Sequence, residues 1–315
     1  MLSATGAHRA CCTATGPAIP EAMTDNEDHS RRHARIQDIL LLPPLPAIAG
    51  RLLDLVANDE CDIGELSALI EQDPGLAARI IGIANSAYFG RPTGICSVSD
   101  AIVRVLGLNL VRGIAIGIAL SKPFDPSACP EFQLERYWYR AIQTANLCGR
   151  LAPRARLSED QRRCLFLCGL LHNLGQLVLV HAFPDRMGRV FRDWAAAPER
   201  GLLALENEQL AMTEIEAGAI LARRWQLPPA VTDVIEFRRE PWLAGASAPL
   251  VELVAYCARF AAALYDDPDA QPAPADTAGG TFAGWDAADI DKAVAQVRAQ
   301  DAQTRAFART LASTH

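Results

Sequence analysis

Residues 164–183 read Cys164-Leu165-Phe166-Leu167-Cys168-Gly169-Leu170-Leu171-His172-Asn173-Leu174-Gly175-Gln176-Leu177-Val178-Leu179-Val180-His181-Ala182-Phe183. The run is long and apolar enough to raise the question of a membrane span. Its middle, however, carries His172, Asn173 and Gln176, and such groups are expensive in lipid. A second apolar stretch, Ala101 to Leu120, is interrupted by Arg104 and Arg112 in the same way. Both read as helices buried inside a protein core, with no membrane insertion. Ser158 with Gln161 forms a capping box that opens the first of them. The helix is expected to end around His172, with Gly175 breaking the pattern and Leu177 to Phe183 continuing it.

The same signals recur on either side. Asp62 with Glu65 opens a short helix. Asp73-Pro74 starts the next, with Asp as N-cap and Pro in the first turn. Ser97 or Ser99 caps a helix that Gly107 closes, and Leu108 to Leu120 reads as a central helix. Pro123, Pro126 and Pro130 mark a boundary. Further helices are expected over Phe132–Leu151, Pro184–Ala196, Thr213–Trp225, from Leu227-Pro228-Pro229, and Pro249–Tyr265. Val and Ile recur at helical spacing and no stretch alternates as a strand does, so the fold class is all-α.

The resulting organisation is a polar disordered tail over 1–34, a folded region over 35–265 divided at about 125–130, a Pro/Ala/Gly/Asp-rich linker over 266–284, and one amphipathic C-terminal helix over 285–315. Within that helix Ile290, Val294, Val297, Ala308 and Leu311 are available for packing. The chain has 315 residues, half of them apolar, and a net charge of −7. That balance gives no support to a nucleic-acid partner, which usually needs a basic face. Nine cysteines scattered through apolar helices do not form a disulfide framework, and a reducing, cytoplasmic compartment is expected.

Little in the sequence carries chemistry. A His followed by Asp at the end of a buried helix can hold a divalent metal that activates water for attack on a phosphoester. Here the second residue is Asn173, a neutral amide. The simpler reading is that His172 and Asn173 hydrogen-bond within the bundle. Asn85-Ser86-Ala87-Tyr88-Phe89-Gly90 admits two readings, a docking surface with exposed aromatics or a helix end whose Tyr88 and Phe89 close the core. No Walker A loop, GxSxG elbow or dinucleotide fingerprint is present.

Two sets of passages resemble the HDOD domain, a relative of the HD metal-dependent phosphohydrolases. The first runs through Leu42-Pro43-Pro44-Leu45-Pro46, Asp73-Pro74-Gly75-Leu76-Ala77, Ala84 to Gly90, Ser99-Asp100-Ala101-Ile102 and Leu106-Gly107. The second comprises Gly169 to Leu179 and Glu216 to Pro228, the latter including Trp225-Gln226-Leu227-Pro228. The resemblance covers roughly 36–265. It implies an HD-like bundle of two packed helical subdomains (35–125 and 130–265) and a role in bacterial signal transduction through protein partners.

It also implies a degenerate metal site. The first metal histidine of that superfamily falls where Arg140 stands. The His-Asp pair is His172-Asn173, a later His pair is Arg238-Arg239, and the closing Asp is Cys257 or Ala258. One ligand of the set survives, so no catalytic residue, metal or cofactor is expected, and the chain is expected not to be an enzyme. The alternatives are an HD-type phosphohydrolase and a sensor that binds an anionic nucleotide through Arg140, His172, Arg238 and Arg239.

Overall fold

The computed structural model describes residues 42–57, 62–86, 89, 94–272, 280–282 and 284–313. The tail expected over 1–34, Tyr88 and linker residues 273–279 lie outside the described residues. The chain is all-α, with no strand among the described residues. Its helices are α1 (Ala47–Ala57), α2 (Ile63–Glu71), α3 (Pro74–Ala84), α4 (Val98–Ala101), α5 (Leu108–Ser121), α6 (Leu134–Leu151), α7 (Glu159–Leu171), α8 (Leu174–Ala182), α9 (Pro184–Ala196), α10 (Leu202–Leu210), α11 (Glu214–Arg224), α12 (Pro229–Phe237), α13 (Ala248–Asp266), α14 (Ala287–Ala299) and α15 (Asp301–Ala312).

Local sequence sets several of these starts. The side chains of Asp62, Asp73, Ser97, Ser158 and Thr213 each accept a backbone N–H from the first turn of the helix that follows. Such caps satisfy donors that have no partner inside the helix. Ser158/Gln161 and Thr213/Glu216 close reciprocal capping boxes. After α4 a π-helical turn, Ile102–Leu106, ends at Gly107, whose φ of +79° suits a residue without Cβ.

The core is organised around α6, which is packed by α7, α13, α14 and α15. Tyr137, Trp138, Tyr139, Ala141 and Ile142 are all buried, so α6 presents apolar surface on several sides. The runs Glu159–Ala182 and Pro241–Asp266 reach the length and hydropathy of a membrane span. Most of each apolar window, 83% and 61%, is nevertheless buried against the rest of the fold.

The elbow between α7 and α8 differs from expectation. The break falls at His172-Asn173, where Asn173 has φ −106° and ψ 16°, and Gly175 lies inside α8. Gly175 is needed for a close crossing. A Cβ there would lie 1.7 Å from the carbonyl oxygen of Glu214, and Gly218 packs against the same turn. The α8–α11 crossing is thus backbone on backbone.

The C-terminal region also differs. In place of one helix there are two, broken at Gln300 (φ −103°, ψ 4°). The break lets both helices follow α6: Arg150 donates to Gln296 Oε1 at 2.7 Å and Gln300 Oε1 at 2.6 Å, and the Tyr139 hydroxyl donates to Asp301. Ile290, Val294, Val297, Ala308 and Leu311 are buried. The described part of the linker is not free either. Thr281 N donates to Glu252 Oε2 at 2.8 Å, and Phe282 packs on Tyr256 and Trp285.

Gly175→Ala should therefore destabilise the fold by about 2 kcal/mol or more, since the crossing must open. Gly149→Ala, on an exposed turn of α6 where a Cβ meets nothing within 4 Å, should stabilise by about 0.5–1 kcal/mol. Urea melts of the two variants check the opposite signs.

Candidate functional site

α7 ends by delivering His172 into the interior, with 1% of its surface exposed. Its Nδ1 lies 2.7 Å from the Gly169 carbonyl oxygen. A carbonyl only accepts, so Nδ1 carries the proton and Nε2 presents a lone pair. That Nε2 is buried without a hydrogen-bond partner. Burial first, then the charges of Arg238 and Arg140, push the imidazole pKa down to about 3, so His172 is neutral. Asn173 Nδ2 donates to the Tyr137 carbonyl at 3.3 Å and ties the elbow to α6, while its Oδ1 is buried without a partner.

Arg238 caps the C-terminus of α12. Its Nη1 donates to the His172 carbonyl at 2.5 Å, and its Nη2 donates to Glu214 Oε1 at 2.5 Å. Both members of this ion pair are less than a tenth exposed. Glu214 is the first residue of α11, and its backbone N–H donates to Glu206 Oε2 at 2.8 Å. Glu206 is fully buried. Burial, then the charge of Glu214, push its pKa well above the usual carboxylate range.

Arg140, His172, Arg238, Arg239 and Ala258 all line one cleft of about 470 Å³, and Glu214 lies on its wall. Of the two candidates for the closing position, Ala258 faces the cleft, whereas Cys257 is buried beside the Cys148 thiol. Glu214 and Glu206 were not expected from the sequence. Glu216 carried the capping signal of α11, and Glu214 looked like an ordinary first-turn acid.

The residues do not fit a divalent metal. Among the described residues no three His, Cys, Asp or Glu side chains converge on a point. The one imidazole lone pair faces the positive field of Arg238 and Arg140.

Asn85 and Phe89 lie elsewhere. The Asn85 amide donates to the carbonyls of Ile81 at 3.1 Å and Ile95 at 2.8 Å, and its Oδ1 accepts from Ile95 N at 3.3 Å. It thereby ties the end of α3 to the segment before Ser97. Ser86 Oγ is buried without a partner. Phe89 is half-buried and meets Phe307 of α15 edge to face at 6.2 Å. None of these residues lines the cleft.

The sequence profile of the HDOD domain matches residues 42–241. This chain belongs to the HDOD family. The all-α bundle has the HD-like fold of that family: an HDOD domain protein of unknown function from Geobacter sulfurreducens superposes with a TM-score of 0.67 at 20% identity, over 91% of this chain and 99% of its own. A proposed signal transduction protein from Marinobacter aquaeolei VT8 superposes with a TM-score of 0.74 at 27% identity, over 92% of this chain and 66% of its own. A proposed phosphohydrolase from Shewanella amazonensis SB2B gives 0.64 at 26% identity, over 87% and 97%. An uncharacterized protein of Treponema pallidum (strain Nichols) is 31% identical over 228 residues, 70% of this chain but only 42% of that relative's length. The structural neighbours thus include both a proposed signal transduction protein and a proposed phosphohydrolase.

Two predictions concern the buried charges. Arg238→Met and Glu214→Leu should each cost about 3–5 kcal/mol, because each strands a buried charge. The double variant should cost clearly less than their sum, a coupling that denaturant melts can read. Glu206→Gln concerns pH. A carboxyl whose folded pKa is raised contributes stability below its ordinary value of 4.5 and loses it as pH rises toward the folded value. Glu206→Gln should therefore remove a loss of stability that the parent protein shows between pH 5 and 8, read as the difference between thermal melts at the two pH values.

Proposed function

We propose that this HDOD protein is a regulatory module of bacterial signal transduction that acts through protein contacts and lacks phosphohydrolase activity. The observation that carries this reading is the Glu214–Arg238 pair seated against His172. A guanidinium there supplies positive charge, but it has no vacant coordination position and cannot acidify a bound water as a metal does. A lone buried imidazole with a pKa near 3 is also a weak general base at neutral pH. The likeness to the Marinobacter aquaeolei VT8 protein supports a signalling role; the likeness to the Shewanella amazonensis SB2B protein supports the opposing, hydrolytic one. Beside Arg239, in the 3₁₀ segment Pro241–Ser247, Trp242 and Leu243 are 71% and 56% exposed. Exposed large apolar side chains of this kind are what partner contacts commonly use as anchors.

A second reading, anion binding in the same cleft, is favoured by a specific observation. Six arginines line the cleft, yet among the described residues only Arg136, Arg200 and Arg238 form ion pairs, with Asp266, Glu208 and Glu214. Arg140, Arg239 and Arg259 have no carboxylate partner among the described residues.

Elemental analysis of the purified protein should give no stoichiometric iron, manganese or zinc, and bis(p-nitrophenyl) phosphate should not be turned over above a buffer blank with added manganese. Stoichiometric metal together with turnover that His172→Ala abolishes would overturn the proposal.

A further inference from the structure

The arginine cleft shares a wall with a second cleft of about 410 Å³. Arg136, Arg140, Trp194 and Asp266 line both. The shared wall is held in place: Arg136 pairs with Asp266 at 2.6 Å and stacks over the rings of Trp194 at 5.0 Å and Tyr265 at 5.2 Å. Arg140 stands at the junction, and its Nε is buried with no hydrogen-bond partner.

The two clefts differ in chemistry. The arginine cleft offers three guanidinium groups without ion-pair partners. The second is walled by aromatic rings: Phe132 lies 6.0 Å from Tyr137 and 5.9 Å from Phe191, and Trp194 adds a fourth ring at the shared side. Gln176 also lines it. That residue is only 5% exposed. A carboxamide offers a donor and an acceptor side by side, which suits the edge of a heterocycle. Aromatic walls suit its faces, and guanidinium forks suit phosphate oxygens. Each cleft lies within the size range of small-molecule sites.

We propose that the two clefts form one bipartite site for a purine nucleotide, with the ring against Gln176 and the Phe132/Phe191/Trp194 wall and the phosphates on Arg140, Arg239 and Arg259. The proposal rests on the anion reading above and adds the ring subsite to it. The nucleotide is bound without being consumed.

Isothermal titration with ATP, GTP and inorganic triphosphate, all in excess chelator, tests it. At least one purine triphosphate should bind about tenfold or more tightly than inorganic triphosphate, the ring contributing on the order of 1.4 kcal/mol. Gln176→Leu and, separately, Phe191→Ala should bring that ratio to about one while leaving triphosphate affinity in place. Arg239→Gln with Arg259→Gln, both at exposed positions, should weaken nucleotide and triphosphate alike. Equal affinity for triphosphate and nucleotides would remove the ring subsite and leave the anion reading standing. Absence of binding by all three probes would remove both. Nucleotide binding that none of the variants weakens would place the site elsewhere and overturn the proposal.

Discussion

Both arms of the Arg238 guanidinium are committed, one to the His172 carbonyl and one to the Glu214 carboxylate. Three elements meet through that group: the elbow after α7, the start of α11 and the end of α12. A buried ion pair is expensive to desolvate, and it persists only where geometry and further hydrogen bonds repay the loss of water. The repayment is visible. Glu206 accepts from the Glu214 backbone N–H, and the Gly175–Gly218 crossing lets α11 come close enough to bring Glu214 to Arg238.

The same arrangement sets the electrostatics of the cleft. In an HD-type centre a dication would hold His172 through a nitrogen lone pair. Here Arg238 holds the residue by its carbonyl and leaves Nε2 without a partner. The neighbouring guanidinium groups reinforce burial in keeping the ring neutral. The cationic charge beside His172 is carried by groups that recognise anions and do not activate water. On the proposed regulatory reading, such a pocket recognises an anion and does not activate water.

What the sequence made legible was local. The caps at Asp62, Asp73, Ser97, Ser158 and Thr213 lie within a few residues of the donors they satisfy, and the buried helices announce themselves by apolar periodicity. Gly175 was misread because a glycine in a helix looks like a breaker, whereas its reason lies across a helix crossing, at a residue 39 positions away. Gln300 carries no breaker signature at all, since the division of the C-terminal helix is set by contacts with Arg150 and Tyr139. Arg140, Arg238 and Arg239 could be placed through the HDOD resemblance; Arg136, Arg200 and Arg259 could not. Glu214, which pairs with Arg238, and the buried Glu206 could not either, because both resemble surface acids until the fold buries them.

The state of His172 is the most direct reporter of this arrangement. Selective ¹⁵N-histidine labelling with long-range imidazole correlation reads both tautomer and titration. The expected result is a neutral ring protonated at Nδ1, unprotonated at Nε2, that resists protonation down to about pH 3 and does not respond to added manganese or zinc. A ring that titrates near 6.5, carries its proton on Nε2, or shifts on stoichiometric metal would contradict a neutral, metal-free His172 held by Arg238.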